Sequence, residues 1–371
     1  MDAERGAYGR AGVDVAAGDR AVELMRAAVE STRRPEVVGG LGGFAAAVGL
    51  PGGLRDPLLV SATDGVGTKT ALAAATGRWS TIGIDLVAMC ADDVVCTGAA
   101  PLFFLDYVAV GRVVPERIAE LVGSVAVGCR TAGCALVGGE TAEHPGLMAP
   151  DEFDLAGFCV GIVERDRVLD GSGIRAGDAV VGIAASGLHA NGFSLVRALV
   201  AEHRLDLAAP YAGILAAAGD RIGPEPELGM ATLGEALLVP TRIYARTLLS
   251  LRDQLDAAGT PLGGLAHVTG GGLPGNLPRM LPDGLGVRVD PGTWPVPSSI
   301  RLVAALGSLD GAELRATLNA GIGMAVALPR SAVAAAIARL AADGMAAWRI
   351  GEVVPVEALG GARYGEGPLA S

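Results

Sequence analysis

Short apolar runs in this chain end repeatedly in clusters of glycine: LLVSATDGVGTK at 58–69, CALVGGET at 134–141, DAVVGIAASGLHANG at 178–192 and GLAHVTGGG at 264–272. A few consecutive aliphatic and β-branched residues read as a strand, and glycine directly after them gives the backbone the freedom a tight turn needs. The 56 glycines follow no fixed period, which excludes collagen and predicts many tight loops. Hydrophobic residues make up 51% of the chain but aromatics only 4%, so the core is built from small aliphatic side chains that must pack closely.

Helical periodicity falls between these runs. Val15, Val22, Met25, Ala28 and Val29 recur at near-helical spacing and predict a helix over 13–34, broken at Pro35. Further helices are expected over 81–98, 115–133, 193–204, 241–258 and 331–344, with weak helix in the loop-rich stretch 206–235. Strands are expected over 101–110, 153–164, 318–329 and 348–354. This alternation predicts an α/β (α+β) class with two mixed domains, 1–169 and 170–371, divided at the turn-rich DGSGIRAGD.

The formal charge of −11 and the lack of any basic stripe argue against nucleic acid as a partner. MDAERGAYGR has no apolar core of a signal peptide, and no run is long and apolar enough to span a bilayer; a cytoplasmic location without a membrane partner is expected. Five cysteines, an odd number with no CxxC pair, read as reduced and mostly buried thiols.

Of 29 basic residues, Lys69 is the only lysine. Arginine replaces lysine in most surface roles but not where a compact ammonium must fit between phosphate oxygens. Lys69 is therefore either a functional residue or a chance survivor. It closes TDGVGTK, where Asp64, two glycines, Thr68 and Lys69 suit a magnesium–phosphate site, although a DGxG turn can also be only a turn. GGLGGF at 39–44 is backbone that can approach phosphates or a surface loop. Asp85, Asp92 and Asp93 lie on an otherwise apolar helix, where metal coordination or solvent must satisfy them. Glu140 and Glu143 follow a buried-looking strand. SGLHANG places His189 and Asn191 between glycines, and His189 is either a general acid–base group or a structural histidine. Thr269 with Gly270, Gly271 and Gly272 has the pattern of an anion-binding turn. Taken from the residues alone, these loops describe a two-domain α/β enzyme using ATP and magnesium on an anionic substrate.

RRPEVVGGLGGF, SATDGVGTK, TIGIDLVAMC, PLFFLDY, LVGGETAEHPG, GFCVGIVE, HANGFSLVR, PTRIYAR and HVTGGG occur in this order between residues 33 and 272, and together they resemble the phosphoribosylformylglycinamidine cyclo-ligase family over nearly the whole chain. The resemblance implies a homodimer in which N-terminal sheets of two subunits join into a barrel with ATP bound near it, and a C-terminal sheet flanked by helices. It implies ATP-dependent closure of formylglycinamidine ribonucleotide, a small-molecule substrate, to aminoimidazole ribonucleotide in purine biosynthesis.

Carried onto this sequence, it assigns Gly39, Gly40, Gly42, Gly43, Asp64, Gly65, Gly67, Thr68, Lys69, Gly139, Glu140 and Thr141 to ATP and its phosphates. Asp64, Asp93 and Glu140 go to Mg2+; His189, Asn191, Thr269, Gly270, Gly271 and Gly272 go to substrate. Lys69, Asp93 and His189 are the catalytic candidates. The chain departs from the family pattern with Asp92 before Asp93, His144 where Met is usual, GGGLPGN after HVT, Ala320 in place of Cys, and Glu30 and Ser31 where lysines are common. Sister ATP-using activities, such as thiamine-phosphate kinase or selenophosphate synthetase, and a nucleotide-binding dimer without turnover remain as alternatives. The first cysteine, Cys90, lies too far along the chain to suit selenophosphate chemistry.

Overall fold

In the computed structural model residues 13–40 and 42–369 are described; the leading decapeptide and Leu41 of GGLGGF lie outside them. The chain divides into two compact units, Met1–Val94 with Ala100–Arg165, and Val95–Ala99 with Asp166–Ser371.

The first unit is built on α1 (Val15–Glu30), β1 (Val37–Val38), β2 (Ala47–Val48), β3 (Pro57–Gly65), α2 (Lys69–Thr76), α3 (Ile82–Cys96), β4 (Ala100–Val110), α4 (Pro115–Ala132), β5 (Ala135–Glu143) and β6 (Phe153–Glu164). Its four-stranded sheet has the order β3-β6-β4-β5, with β4 and β5 parallel and the other neighbours antiparallel. A parallel pair needs a long crossover, which α4 supplies. That helix starts at Pro115, whose missing N–H costs nothing at a helix start, and stops at Gly133 with φ 88°.

Glycines in GFCVGIVE let α3 lie directly on the sheet. A Cβ on Gly157 would fall 2.5 Å from Phe104 and 3.0 Å from both Cys90 and Leu86; one on Gly161 would fall 2.4 Å from Val94. Leu86, Cys90 and Val94 recur every four residues, so one stripe of the helix meets β6. Each such buried aliphatic side chain contributes about 1.5–3 kcal/mol. On the other face alternation leaves Leu59, Ser61, Thr63 and Phe158 outward, with Leu59 62% and Phe158 44% exposed. The sheet thus has one face packed and one open.

Two of the differences from the sequence expectation have a clear local cause. The first helix ends at Glu30, because the Thr32 hydroxyl turns back to donate to Val29 and accepts the Leu136 amide. The turn at Gly65–Thr68 is followed at once by the unexpected α2, whose ALAAAT sequence is helix-prone but too short to show a period.

The second unit contains β7 (Ala179–Ala184), α5 (Phe193–Glu202), α6 (Tyr211–Ala217), α7 (Leu233–Leu237), α8 (Ala245–Ala257), β8 (Gly264–His267), α9 (Gly272–Asn276), β9 (Leu285–Val289), α10 (Ser298–Gly307), α11 (Gly311–Thr317), β10 (Ile322–Leu328), α12 (Val333–Ala342), β11 (Ala347–Pro355) and β12 (Tyr364–Glu366). Its six strands run β12-β9-β11-β7-β10-β8, and only the β12–β9 pair is parallel. Val180, Ala266, Val287, Ala325 and Val353 form the core with Trp294, whose indole N–H donates to the Ala320 carbonyl. β9, β12, α10 and α11 were not anticipated.

A candidate nucleotide cavity and a substrate-loop cluster

The first unit carries a half-open cavity of about 570 Å³. Its walls include Ala21, Met25 and Val29 of α1, Val122 of α4, Phe158 of β6, and Leu105, Asp106 and Tyr107 of β4. Gly40, Gly42 and Gly43 line it from the loop, and Gly139, Glu140 and Thr141 from β5. Six of the residues expected at ATP thus meet at one chamber, of a size typical for ligand sites. Gly39 does not line it. Loop glycines offer close backbone approach without side chains, while the apolar helix wall suits a flat heterocycle.

Glu143 lies three residues beyond Glu140, at the end of β5. Its carboxylate accepts the amides of Val113 at 2.7 Å and Asp14 at 2.9 Å, tying the start of α1 to the sheet. Tyr107 Oη lies 3.1 Å from His144 Nε2. His144, one of the departures from the family pattern, therefore holds a residue of the cavity wall.

The other half of the expected phosphate set lies elsewhere. Register aligns Asp64 with Gly157, Gly157 with Asp106 and Asp106 with Gly139, so Asp64 and Gly139 stand three strands apart in one row. At the usual interstrand spacing this is about 14 Å. Asp64, Gly65, Gly67, Thr68 and Lys69 form the turn at the β3 edge and do not line the cavity. Among the described residues no group of three His, Cys, Asp or Glu side chains is arranged to hold a metal ion. Asp64, Asp93 and Glu140 therefore do not assemble around one ion within a single chain, because β5 and β3 are opposite edges of the sheet. Asp64 and Asp93 do come together around Cys90: burial first, then these two carboxylates, push its thiol pKa up.

Lys69 points inward. Its ammonium lies 2.8 Å from Asp85 Oδ1, and both side chains are fully buried. Burial pulls the lysine pKa down, and Asp85 opposes that pull. The lone lysine thus has a buried carboxylate as one of its partners.

In the second unit, His189 is 2% exposed with φ 62°. Its Nε2 accepts the Ser186 amide at 3.1 Å, which places the ring proton on Nδ1. One nitrogen expected to move protons is thus holding the loop's shape. Gly323 makes room for it: a Cβ there would fall 2.1 Å from Tyr244 Oη and 2.5 Å from His189 Cε1.

Asn191 meets the glycine turn, its Oδ1 lying 3.5 Å from where a Gly270 Cβ would stand. Gly272 has φ 57°, and a Cβ on it would fall 1.9 Å from the Arg315 carbonyl. Asn276, missed in the sequence, organises this turn: its amide donates to the carbonyls of Gly272 at 2.8 Å and Gly270 at 3.1 Å. The available signal was an asparagine closing GGGLPGN. Asp106, also missed, was visible only as an acid inside the apolar run PLFFLDYVAV.

Residues 45–163 match the N-terminal domain of AIR synthase related proteins, and residues 175–361 match the C-terminal domain. Phosphoribosylformylglycinamidine cyclo-ligases from Thermosynechococcus vestitus and Sorangium cellulosum are each 52% identical, over 94% of this chain and 96% and 95% of theirs. The chain belongs to the phosphoribosylformylglycinamidine cyclo-ligase family. In fold it is similar to a thiamine-monophosphate kinase from Stenotrophomonas maltophilia, with TM-score 0.65 and 17% identity over 95% of this chain and 97% of that one. It is also similar to the hydrogenase maturation protein HypE in complex with ATP, with TM-score 0.62 and 20% identity over 93% and 89%.

Proposed function

We propose that this chain uses ATP to close formylglycinamidine ribonucleotide into 5-aminoimidazole ribonucleotide, releasing ADP and phosphate, in purine biosynthesis. The observation that carries it is the cavity at which Gly40, Gly42, Gly43, Gly139, Glu140 and Thr141 converge, in a chain whose cyclo-ligase relatives match it over 94% of its length. The formyl oxygen is a poor leaving group. It attacks the γ-phosphorus, ADP leaves, and an iminophosphate forms. The neighbouring amidine nitrogen then attacks the activated carbon, the C–O bond breaks, and phosphate departs with the oxygen. The protein's part is to position these groups and to neutralise charge, with no covalent intermediate on the enzyme.

ATP is held in the cavity, with the amides of Gly40, Gly42 and Gly43 on its phosphates and Gly139, Glu140 and Thr141 of β5 along its other end. Mg2+, which binds proteins through few carboxylates and completes its shell with phosphates and water, would be held by Asp64 and Asp93 and would neutralise charge on the phosphates. Glu140 serves the nucleotide at the cavity edge. Asn191 and Thr269–Gly272 hold the substrate, His189 sets the shape of their loop, and Lys69 acts through Asp85 to fix the 63–69 turn.

The open sheet face, with Leu59 and Phe158 outward, pairs with a second copy into a barrel. The wide separation of the two phosphate half-sites within one chain supports a site shared between copies. Each of the two domains expected from the sequence contains one part of the chemistry, ATP in 1–169 and substrate in 170–371. Among the described residues no helix is long and apolar enough to cross a membrane, and the location proposed is the cytoplasm.

Mixing the purified protein with ATP, magnesium and formylglycinamidine ribonucleotide, and following aminoimidazole ribonucleotide as its coloured diazo derivative, tests the reading. Product requiring all three components is expected. A folded, ATP-binding protein that forms none overturns it.

A further inference from the structure

The inward positions of β4 around Asp106 are Phe104 and Val108, apolar and fully buried. Asp106 shares their face and is 7% exposed. Opposite it on β5 the chain requires glycine, because a Cβ on Gly139 would fall 1.9 Å from Asp106 Oδ1. The sheet is therefore shaped to admit this carboxyl. It lines the cavity beside Met25, Val29 and Val122. Its own backbone amide supports it, and among the described residues no other group hydrogen-bonds to it. Burial pushes its pKa up to about 7. An acid in so apolar a place disfavours folding, and a strand core has no use for it. A ligand group is the natural partner.

The charge pattern says which end of a nucleotide it meets. Phosphates suit the amides of Gly40, Gly42 and Gly43, whereas a carboxyl repels them. The end that faces Asp106 is the base, against the apolar wall of α1 and α4.

We infer that Asp106 reads the nucleobase, its carboxyl oxygen accepting a hydrogen bond from the exocyclic amine of adenine. This rests on the reading that the cavity takes ATP. A site built to accept that hydrogen discriminates against a purine lacking it, since the buried acceptor is then left unmet.

The test is calorimetric titration of the intact protein with two non-hydrolysable imido triphosphates, one of adenosine and one of purine riboside, which lacks only the amine. The wild type is expected to bind the adenosine compound about tenfold or more tightly. Asp106→Leu is expected to remove that preference by weakening the adenosine compound alone. If Asp106→Leu does not fold, Asp106→Ser, too short to reach, is measured with the same expectation. Equal binding of the two compounds by wild type, or a preference retained in the variant, overturns this inference and leaves the ATP reading standing. Absence of binding by either compound overturns both.

Discussion

The Lys69 ammonium and the Asp85 carboxylate form an ion pair 2.8 Å long with neither side chain exposed to solvent. It joins the first turn of α2 to the first turn of α3. Removing one member takes this partner from a fully buried charge, which costs about 3–5 kcal/mol. Lys69→Met is therefore expected to lose that much in urea unfolding. Lys69→Met combined with Asp85→Leu is expected to recover most of it, because two apolar side chains leave no charge behind. Lys69→Arg overpacks a sealed site and is expected to cost about 1–3 kcal/mol. A single Lys69→Met variant as stable as wild type would show that the pair does not hold these helices.

The same pair shows where sequence reading reached and where it stopped. That one lysine survives in a chain of arginines marks Lys69 out, and the structure places it in a buried pair with Asp85. What the residues could not show is its direction, since Asp85 lies 16 positions on and the pairing exists only once α3 has packed on Gly157 and Gly161. The strand–glycine-turn pattern located β3, β5, β6 and β7 closely, because alternation and turn residues are local signals. β12 was illegible for the opposite reason: three residues, Tyr364–Glu366, become a strand by pairing with β9. Convergence of the 39–44 loop with Gly139–Thr141 was implied by family resemblance, whereas Asp106 and Asn276 emerge only from register and from hydrogen bonds across a turn.

Asp106 predicts a pH dependence of stability. Its ordinary carboxyl pKa of 3.8 is raised to about 7 in the fold, chiefly by burial. The native state thus keeps a proton that the unfolded chain gives up. The contribution is complete below the unfolded value, declines as pH rises, and is lost above about 7. Asp106→Asn resembles the neutral acid at every pH. Relative to wild type it is expected to gain about 2–3 kcal/mol between pH 5 and pH 8. Urea midpoints at the two values measure this, and parallel behaviour of the two proteins would mean that Asp106 does not carry the proton.

Gly157 predicts the tightness of the α3–sheet contact. A Cβ there would lie 2.5 Å from Phe104 Cζ, with Cys90 and Leu86 at 3.0 Å. Gly157→Ala must push the helix or turn the ring, at about 1–3 kcal/mol. Gly123 is in a helix of the same unit with nothing within 4 Å of its Cβ position. Gly123→Ala is expected to stabilise by roughly 0.5–1 kcal/mol through helix propensity. Opposite shifts in melting temperature for the two alanines are the expected result; shifts of one sign would indicate that backbone entropy, not packing, dominates at Gly157.

The turn at Thr269–Gly272 predicts a separation between binding and chemistry. Asn276 holds it through the Gly270 and Gly272 carbonyls, and Gly272 can carry no side chain against Arg315. Neither residue approaches ATP in this reading, so loosening the turn weakens substrate binding first. Asn276→Ala removes the side-chain hydrogen bonds that hold the turn at a buried site and is expected to raise the KM for formylglycinamidine ribonucleotide about tenfold or more. The KM for ATP should stay within about twofold, since uniform loss of one ligand's binding leaves the other untouched. Asn276→Asp, isosteric but unable to donate to carbonyls, is expected to fail in the same way. Asn276→Gln, which keeps the amide donor, is expected to recover part of the binding. Equal rises in both KM values would instead place the turn at the nucleotide, and unchanged values for Asn276→Ala would remove the turn from the site altogether.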